Sequence, residues 1–509
     1  MEQTSMKMIR GAKAVTRGLT LLFLSASPAL LAASHTWSGA SPVDGNWSTA
    51  ANWSAGGAPV NGESSVTLDF PAVAARKAGM VNDLTGLNVT SMSFADTAYS
   101  VGGNAINMAG AISTISATAG ASGTNSVAIN LDVVLTGTAA FFLSGNDSGN
   151  GDVFGLAFYG TISGAGGKDV HTGSLVGPYG EVVFAHANTY LGVTYVDGGY
   201  LHLDDPAGLG SPIAATIVGV GGTLSANRVN SAHWTLGEDL FVGGGGAAGN
   251  AALQWKNLTW TGPIAFTAGT TIKTSAVVNL DGVVSGNFAL TTRVSTNAGI
   301  GELILTQANT YSQPTRIEYG TVIVTGSQPA SAFTLQGYSS SDKSRLRGTG
   351  TVGAVSVEEG GSETKTIAPG TTLATGTLHT ANFSLNDPPN PGAGYAGNYG
   401  VLSVRLNGTG AGAWDQVAVT GTVDITNATL DVVQWFTPAV GDSFTIISND
   451  GADAVVGTFR VSGAPVVQGD TFLAGGRTFQ MSYQGGDGND VVITLTSTTP
   501  VSLQSFEIE

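Results

Sequence analysis

The sequence predicts an all-β protein: an elongated right-handed parallel β-helix with a C-terminal β-hairpin cap. Three observations predict it. First, two segments align without a gap. EVVFAHANTYLGVTYVDGGYLHL occupies residues 181–203, and ELILTQANTYSQPTRIEYGTVIV occupies 302–324. Both carry AlaAsnThrTyr, at 187–190 and 308–311. Val182 and Phe184 meet Leu303 and Leu305, Gly199 meets Gly320, and Leu201 and Leu203 meet Val322 and Val324. Such self-similarity marks stacked units that cannot bury their apolar face alone. Second, short runs of Val, Leu, Ile and Thr are punctuated by Gly, Asn and Asp throughout, and helical periodicity is almost absent. Third, only 11% of residues are charged, 42% are hydrophobic and 74 are Gly. A chain this apolar is not disordered. Low charge fits a fold in which much of each unit faces a core or a neighbour.

Taken in order, residues 1–33 read as a secretory signal peptide. Lys7, Arg10, Lys13 and Arg17 form a basic start. Residues 19–24 and 26–33 are apolar, and small residues near Ala32 and Ser34 suit cleavage. Residues 34–95 hold a Trp-rich N-terminal cap, built on Trp37, Trp47 and Trp53, and the first coils. A cap is required because open strand edges stack onto other molecules. Residues 96–345 form the repeat-bearing β-helix. Residues 346–496 extend it and close it with a hairpin, strands 479–483 and 491–496 around a turn at 484–489. Within that part, DPPNPGAGYAGNYG (387–400) reads as a surface loop. Residues 497–509 are a tail.

One coil can be written residue by residue. Residues 182–184, 194–196 and 200–203 are its three strands. Asn188, Gly198 and Gly199 are its corners, where a left-handed backbone is expected. Alternation places Val182, Phe184, Leu201 and Leu203 inside, and Val183, Tyr200 and His202 outside. Stacking such coils about 4.8 Å apart pairs every strand above and below.

The AsnThrTyr segments resemble the autotransporter-associated β-strand repeat of secreted bacterial proteins. The lead-ins GTISGAGG (160–167) and GVVSGN (282–287) belong to the same pattern. Both copies depart from it: LeuGlyVal (191–193) and SerGlnPro (312–314) stand where Thr-Gly-Gly is usual. The opening DGNWSTAANWSAGGAPVNGE (44–63) is similar to mature N-termini of such proteins. The segments LRGTGTVGAVSV (346–357), IAPGTTLATGTL (367–378), WDQVAVTGTVDITNATLDV (414–432), GDSFTIISNDGADAVVGTF (441–459) and SYQGGDGNDVVITL (482–495) look like the region that follows their repeats. The resemblance implies a passenger-like protein that presents a surface. About a dozen residues follow the last matched motif, so the translocator barrel of an autotransporter is not expected.

Net charge is −16, and the 19 Lys and Arg residues are scattered. Nucleic-acid binding needs clustered cations, so it is not expected. Cysteine is absent, which excludes disulfides, thiolate metal sites and Cys catalysis. GGDGNDVVI (485–493) fits the nonapeptide that holds Ca²⁺ in parallel β-rolls, with Asp487, Asn489 and Asp490 as ligands. Calcium takes about six to eight oxygens, and a β-roll ion is shared between adjacent copies. This chain has one copy, so the segment reads as the turn of the hairpin and no cofactor is expected. NDGAD (449–453) is a second acidic turn.

His35, His171, His186, His202, His233 and His379 show no metal-ligand spacing. Asp204 and Asp205, before Pro206, read as a turn. GSLVG (173–177) lacks the spacing of a nucleophile elbow. The glycine-rich 219–224 and 243–249 precede no helix that could hold phosphate. No residue is assigned a catalytic role.

The expectation is a non-catalytic structural or adhesive protein, secreted or at the surface of a bacterial envelope. Its partner would be an extracellular surface, glycan or matrix component. No later stretch reaches the roughly 18 apolar residues of a membrane span. The alternative is a carbohydrate-binding surface protein that stacks sugars on Trp47, Trp53, Tyr395 and Tyr399, which requires those rings to be exposed. A polysaccharide lyase or hydrolase is a third reading and would need carboxylates converging in a cleft.

Overall fold

The computed structural model describes residues 33–114, 125–145, 154–175, 177–226, 232–294, 301–337, 343–358, 364–386, 400–451 and 453–498. Outside these fall the expected signal peptide except residue 33, the insertion at 387–399 with Tyr395 and Tyr399, and the tail beyond residue 498.

The regular structure of the described chain is almost all β-strand, with no α-helix. Its strands form long parallel sheets, and the pairing is cyclic. The chain visits three stacks in succession and returns to the first, one strand further along. One stack runs through Leu156, Val182, Leu201, Leu224, Leu253 and Ile272, each paired to the next. A second runs through Phe142, Thr172, Val196, Val218, Val242 and Phe266. A third runs through Trp260, Leu280, Leu305 and Val324. These rows point inward and are buried. Burying each Leu or Val contributes roughly 1.5–3 kcal/mol, so the core is a continuous column rather than a single nucleus.

The strands of the first repeat copy fall at Glu181–Phe184, Thr194–Val196 and Gly199–Leu203. Val182, Phe184, Leu201 and Leu203 are all within 1% of full burial. Gly199 and Gly320, which match in the two copies, have φ of 66° and 85°. A Cβ on Gly320 would lie 2.1 Å from the Val294 carbonyl oxygen, so this corner demands glycine twice over.

Two expectations need correction. Val183 and His202 do turn away from the core, yet they are 3% and 8% exposed. Farther along the same outer face, the loop around Ala247–Gly249 lies over the sheet. Thr223 Oγ1 there accepts from Ala247 N–H at 2.8 Å and donates to the Ala251 carbonyl at 2.7 Å. Asn188 and Asn309 sit at corners, but neither is among the residues with positive φ. Their amides, rather than a left-handed backbone, suit them to the position.

The repeat copies also differ in placement. The stack of Thr194 continues through Thr216, Leu240, Ile264 and Val284. The next residue on it is Thr310, whose N–H binds the Val284 carbonyl at 2.8 Å. The second AsnThrTyr therefore lies on the stack that carries Thr194 in the first copy. The element has moved on by one face.

Both described ends are closed. Ser34–Trp37 pairs antiparallel with Trp53–Ala55; Trp37 and Trp47 pack edge-on against Trp53, and all three rings lie tilted against Phe70. At the other end Ser443–Ser448 pairs in parallel on one side and antiparallel with Asp490–Ser497 on the other. Asp490–Ser497 continues into Arg477–Gly485 and then Thr471–Ala474, both antiparallel. The expected hairpin is thus part of a three-stranded meander, and the switch to antiparallel pairing ends the cycle.

Candidate functional site

The repeated motif is a set of bonds between neighbouring turns of chain. Asn188 Oδ1 accepts from Ile162 N–H at 2.8 Å, and its Nδ2 donates to the Gly208 carbonyl at 2.6 Å. Asn309 does the same, accepting from Val284 N–H at 2.8 Å and donating to Gln328 Oε1 at 2.9 Å. The tyrosines point inward. The hydroxyls of Tyr190 and Thr194 are 2.6 Å apart, and those of Tyr311 and Thr315 are 2.7 Å apart. An amide carries both a donor and an acceptor, so one Asn satisfies the turn before it and the turn after it. These motif groups are occupied in holding strands together.

The two acidic turns, far apart in sequence, come together at the C-terminal end. Asp490 Oδ1 accepts from Asn449 N–H at 2.8 Å. Asn489 Nδ2 and Asn449 Nδ2 both donate to the Asp453 carbonyl, at 2.7 and 2.8 Å. Asp487 lies against Gly451, where a Cβ would come within 2.6 Å of its Oδ2. Burial raises the Asp490 carboxyl above the ordinary range. Asp490 and Asn489 therefore serve as turn locks. Among the described residues, no three His, Asp or Glu side chains converge as metal ligands.

The proposed sugar platform is not available at the N-terminus. Trp47 is fully buried and Trp53 is 6% exposed, and Trp53 Nε1 donates to the Trp47 carbonyl at 2.7 Å. The histidines are dispersed. His35 meets Glu63 at 3.1 Å, His171 meets Asp197 at 2.7 Å, His202 meets Glu181 at 3.6 Å, and His233 meets Thr259 at 2.7 Å. Asp205 Oδ1 accepts from Ala207 N–H at 2.8 Å, so this pair makes the turn expected of it.

Two concavities stand outside these readings. One is an apolar groove of about 410 Å³ on the outer sheet face, floored by Val277, Ile304 and Ile323 and walled by Leu373. A buried ion pair anchors its wall. Arg405 Nε and Nη2 reach Asp415 at 2.6 and 3.1 Å, and Nη2 also donates to the Pro369 and Ala374 carbonyls at 2.9 and 2.8 Å. The other is a pocket of about 330 Å³ between residues 206–212 and 235–238, lined in part by Glu238. Glu238 is 5% exposed and accepts from Thr216 Oγ1 at 2.7 Å. Burial first, then the neighbouring Asp239 charge, pushes its pKa up to about 8. A lone Glu between two strands gives no signal in sequence; its setting emerges only once the strand register is known.

Comparison with family models, with curated proteins and with solved structures finds no match to this chain.

Proposed function

We propose that this chain is a right-handed parallel β-helix belonging to a secreted or cell-surface bacterial protein, structural or adhesive and non-catalytic. In this reading it is a passenger-like member of the autotransporter-associated repeat group. One observation carries the proposal: the groups that recur in the repeats are spent on bonds between successive turns of chain. What such a chain offers is its side faces, which a long stack supplies at small sequence cost. The cyclic parallel pairing supports the β-helix, and the closed ends support a particle that does not polymerise. The expected partner is an extracellular surface, glycan or matrix component.

The test combines two measurements on the purified mature chain. Solution scattering should give an elongated particle, and a near-spherical one would reject the β-helix. Incubation with acidic and neutral polysaccharides should give no turnover. Cleavage at ordinary enzyme rates, about one per second or faster, would reject the non-catalytic reading.

A further inference from the structure

Glu238 occupies a corner that glycine or alanine fills on the two turns before it and the two after it. In the stack of Thr194, Thr216, Leu240, Ile264 and Val284, the residues two positions earlier are Gly192, Ala214, Glu238, Gly262 and Gly282. The turns approach closely there. A Cβ on Gly262 would lie 2.0 Å from the Glu238 carbonyl oxygen, and one on Gly282 would lie 1.7 Å from that of Gly262. Among these five, only Glu238 carries a side chain longer than methyl; one turn before Gly192 the column holds Lys168, whose Nζ donates to the Thr136 carbonyl at 2.7 Å. That side chain reaches back to Thr216 on the preceding turn, beside the pocket walled by Pro206, Leu209, Pro212 and Leu236.

An amide would accept the same bond from Thr216 without any ionisation cost. What the carboxyl adds is a donor that rising pH removes. The titratable groups near it are Asp239, adjacent in the chain, and Tyr190, two turns earlier. Neither supplies positive charge, so the environment favours the neutral acid. A pocket of this size, mostly apolar with Glu238 and Thr235 as its polar side chains, has the character of a small-molecule site. A cationic ligand would have to ionise a buried acid, whereas a hydroxyl can accept from the neutral acid as it stands.

We propose that this pocket binds a small neutral polyhydroxy ligand, one sugar residue of a glycan, with the Glu238 carboxyl hydrogen-bonding to a sugar hydroxyl and the proline and leucine walls meeting its C–H face. The inference rests on the adhesive reading, because it names a glycan as what the surface meets.

The experiment is ligand-observed NMR on the purified chain with glucose, galactose, mannose and, as a cationic comparison, glucosamine. At about pH 6, at least one neutral sugar should bind. At about pH 10, on the other side of the raised pKa, its affinity should fall by roughly tenfold or more. Glu238→Gln keeps an N–H donor and should bind equally at both pH values. Ala207→Phe, at an exposed position on the rim, should abolish binding while leaving the circular dichroism spectrum unchanged. The proposal is overturned if no neutral sugar binds at about pH 6, if Ala207→Phe leaves binding intact, or if glucosamine, cationic at about pH 6, binds better there than the neutral sugars. Loss of sugar binding in Ala207→Phe with cell attachment intact would sink the glycan assignment alone. Absence of attachment by a chain that still binds sugar would instead sink the adhesive reading.

Discussion

If the paired asparagines are bonds between successive turns, replacing each by aspartate should cost unequal amounts. Both are buried, at 5% exposed for Asn188 and 6% for Asn309. Aspartate preserves the acceptor, so Ile162 N–H and Val284 N–H remain satisfied in both variants. The donor side differs. Asn188 Nδ2 faces the backbone carbonyl of Gly208 at 2.6 Å, which cannot reverse. Asn188→Asp places two oxygens there and loses a buried bond, at about 1–3 kcal/mol before the cost of a buried charge. Asn309 Nδ2 faces the Gln328 side chain, whose own Nε2 has no hydrogen-bond partner among the described residues. In Asn309→Asp, that amide can turn over and donate to the new carboxylate, restoring a charge-assisted bond. Asn188→Asp should therefore be the more destabilising by about 1–3 kcal/mol. Urea denaturation followed by tyrosine fluorescence, with the midpoint and slope fitted separately, measures the difference. Equal losses, or a larger loss for Asn309→Asp, would refute the account of the motif.

Other consequences are simpler to state. Glu238 has a folded-state pKa raised to about 8 against an ordinary 4.5, so its stabilising protonated form is fully present below pH 4.5 and lost as pH rises through 8. Glu238→Gln should accordingly gain stability over the parent, by about 3 kcal/mol at pH 7, and melting curves showing no pH-dependent gap would contradict this. Arg405→Met strands the fully buried Asp415 carboxylate and should cost about 3–5 kcal/mol; a midpoint shift within error would show that the pair contributes little. Gly282→Ala forces a methyl into the Gly262 carbonyl and should cost about 1–3 kcal/mol, whereas Gly57→Ala, where nothing lies within 4 Å of the added carbon, isolates the effect of backbone strain alone. Chelator should leave the melting temperature unchanged, because Asp490 already binds Asn449; a drop of several degrees that Asp490→Ala abolishes would establish a calcium site.

Sequence pattern located strands where side-chain alternation is strong. Thr194–Val196 falls at the expected residues, and Leu201 and Leu203 point where the two-residue period sends them. The antiparallel ending was legible because glycine and asparagine between two apolar runs specify a hairpin. The burial of Val183 and His202 was not, since alternation reports only which side of the sheet a residue faces. What covers the outer side comes from distant chain. The role of Asn188 was misread for a related reason: its partners, Ile162 and Gly208, lie on neighbouring turns and nothing local names them. Trp47 and Trp53 look alike as cap or as platform until burial decides between them. Glu238 was invisible because its significance is the contrast with Gly192, Gly262 and Gly282, which become neighbours only through the register.

The displacement of the second AsnThrTyr by one face bears on how such a chain can lengthen or shorten. An element that functions equally well on two of the three stacks is indifferent to which side of the molecule it occupies. Its environment is set by the strands before and after it, as a bead is by its neighbours on a string. Removal of three consecutive strands should leave every later side chain facing its original direction. Removal of one strand with its corner should leave the packing rules intact but redirect everything downstream, so that the Ile304–Ile323 groove would face where another side now does. Insertions and deletions in this chain therefore act as an indexing mechanism: the number of strands, counted in threes, sets which surfaces share a side.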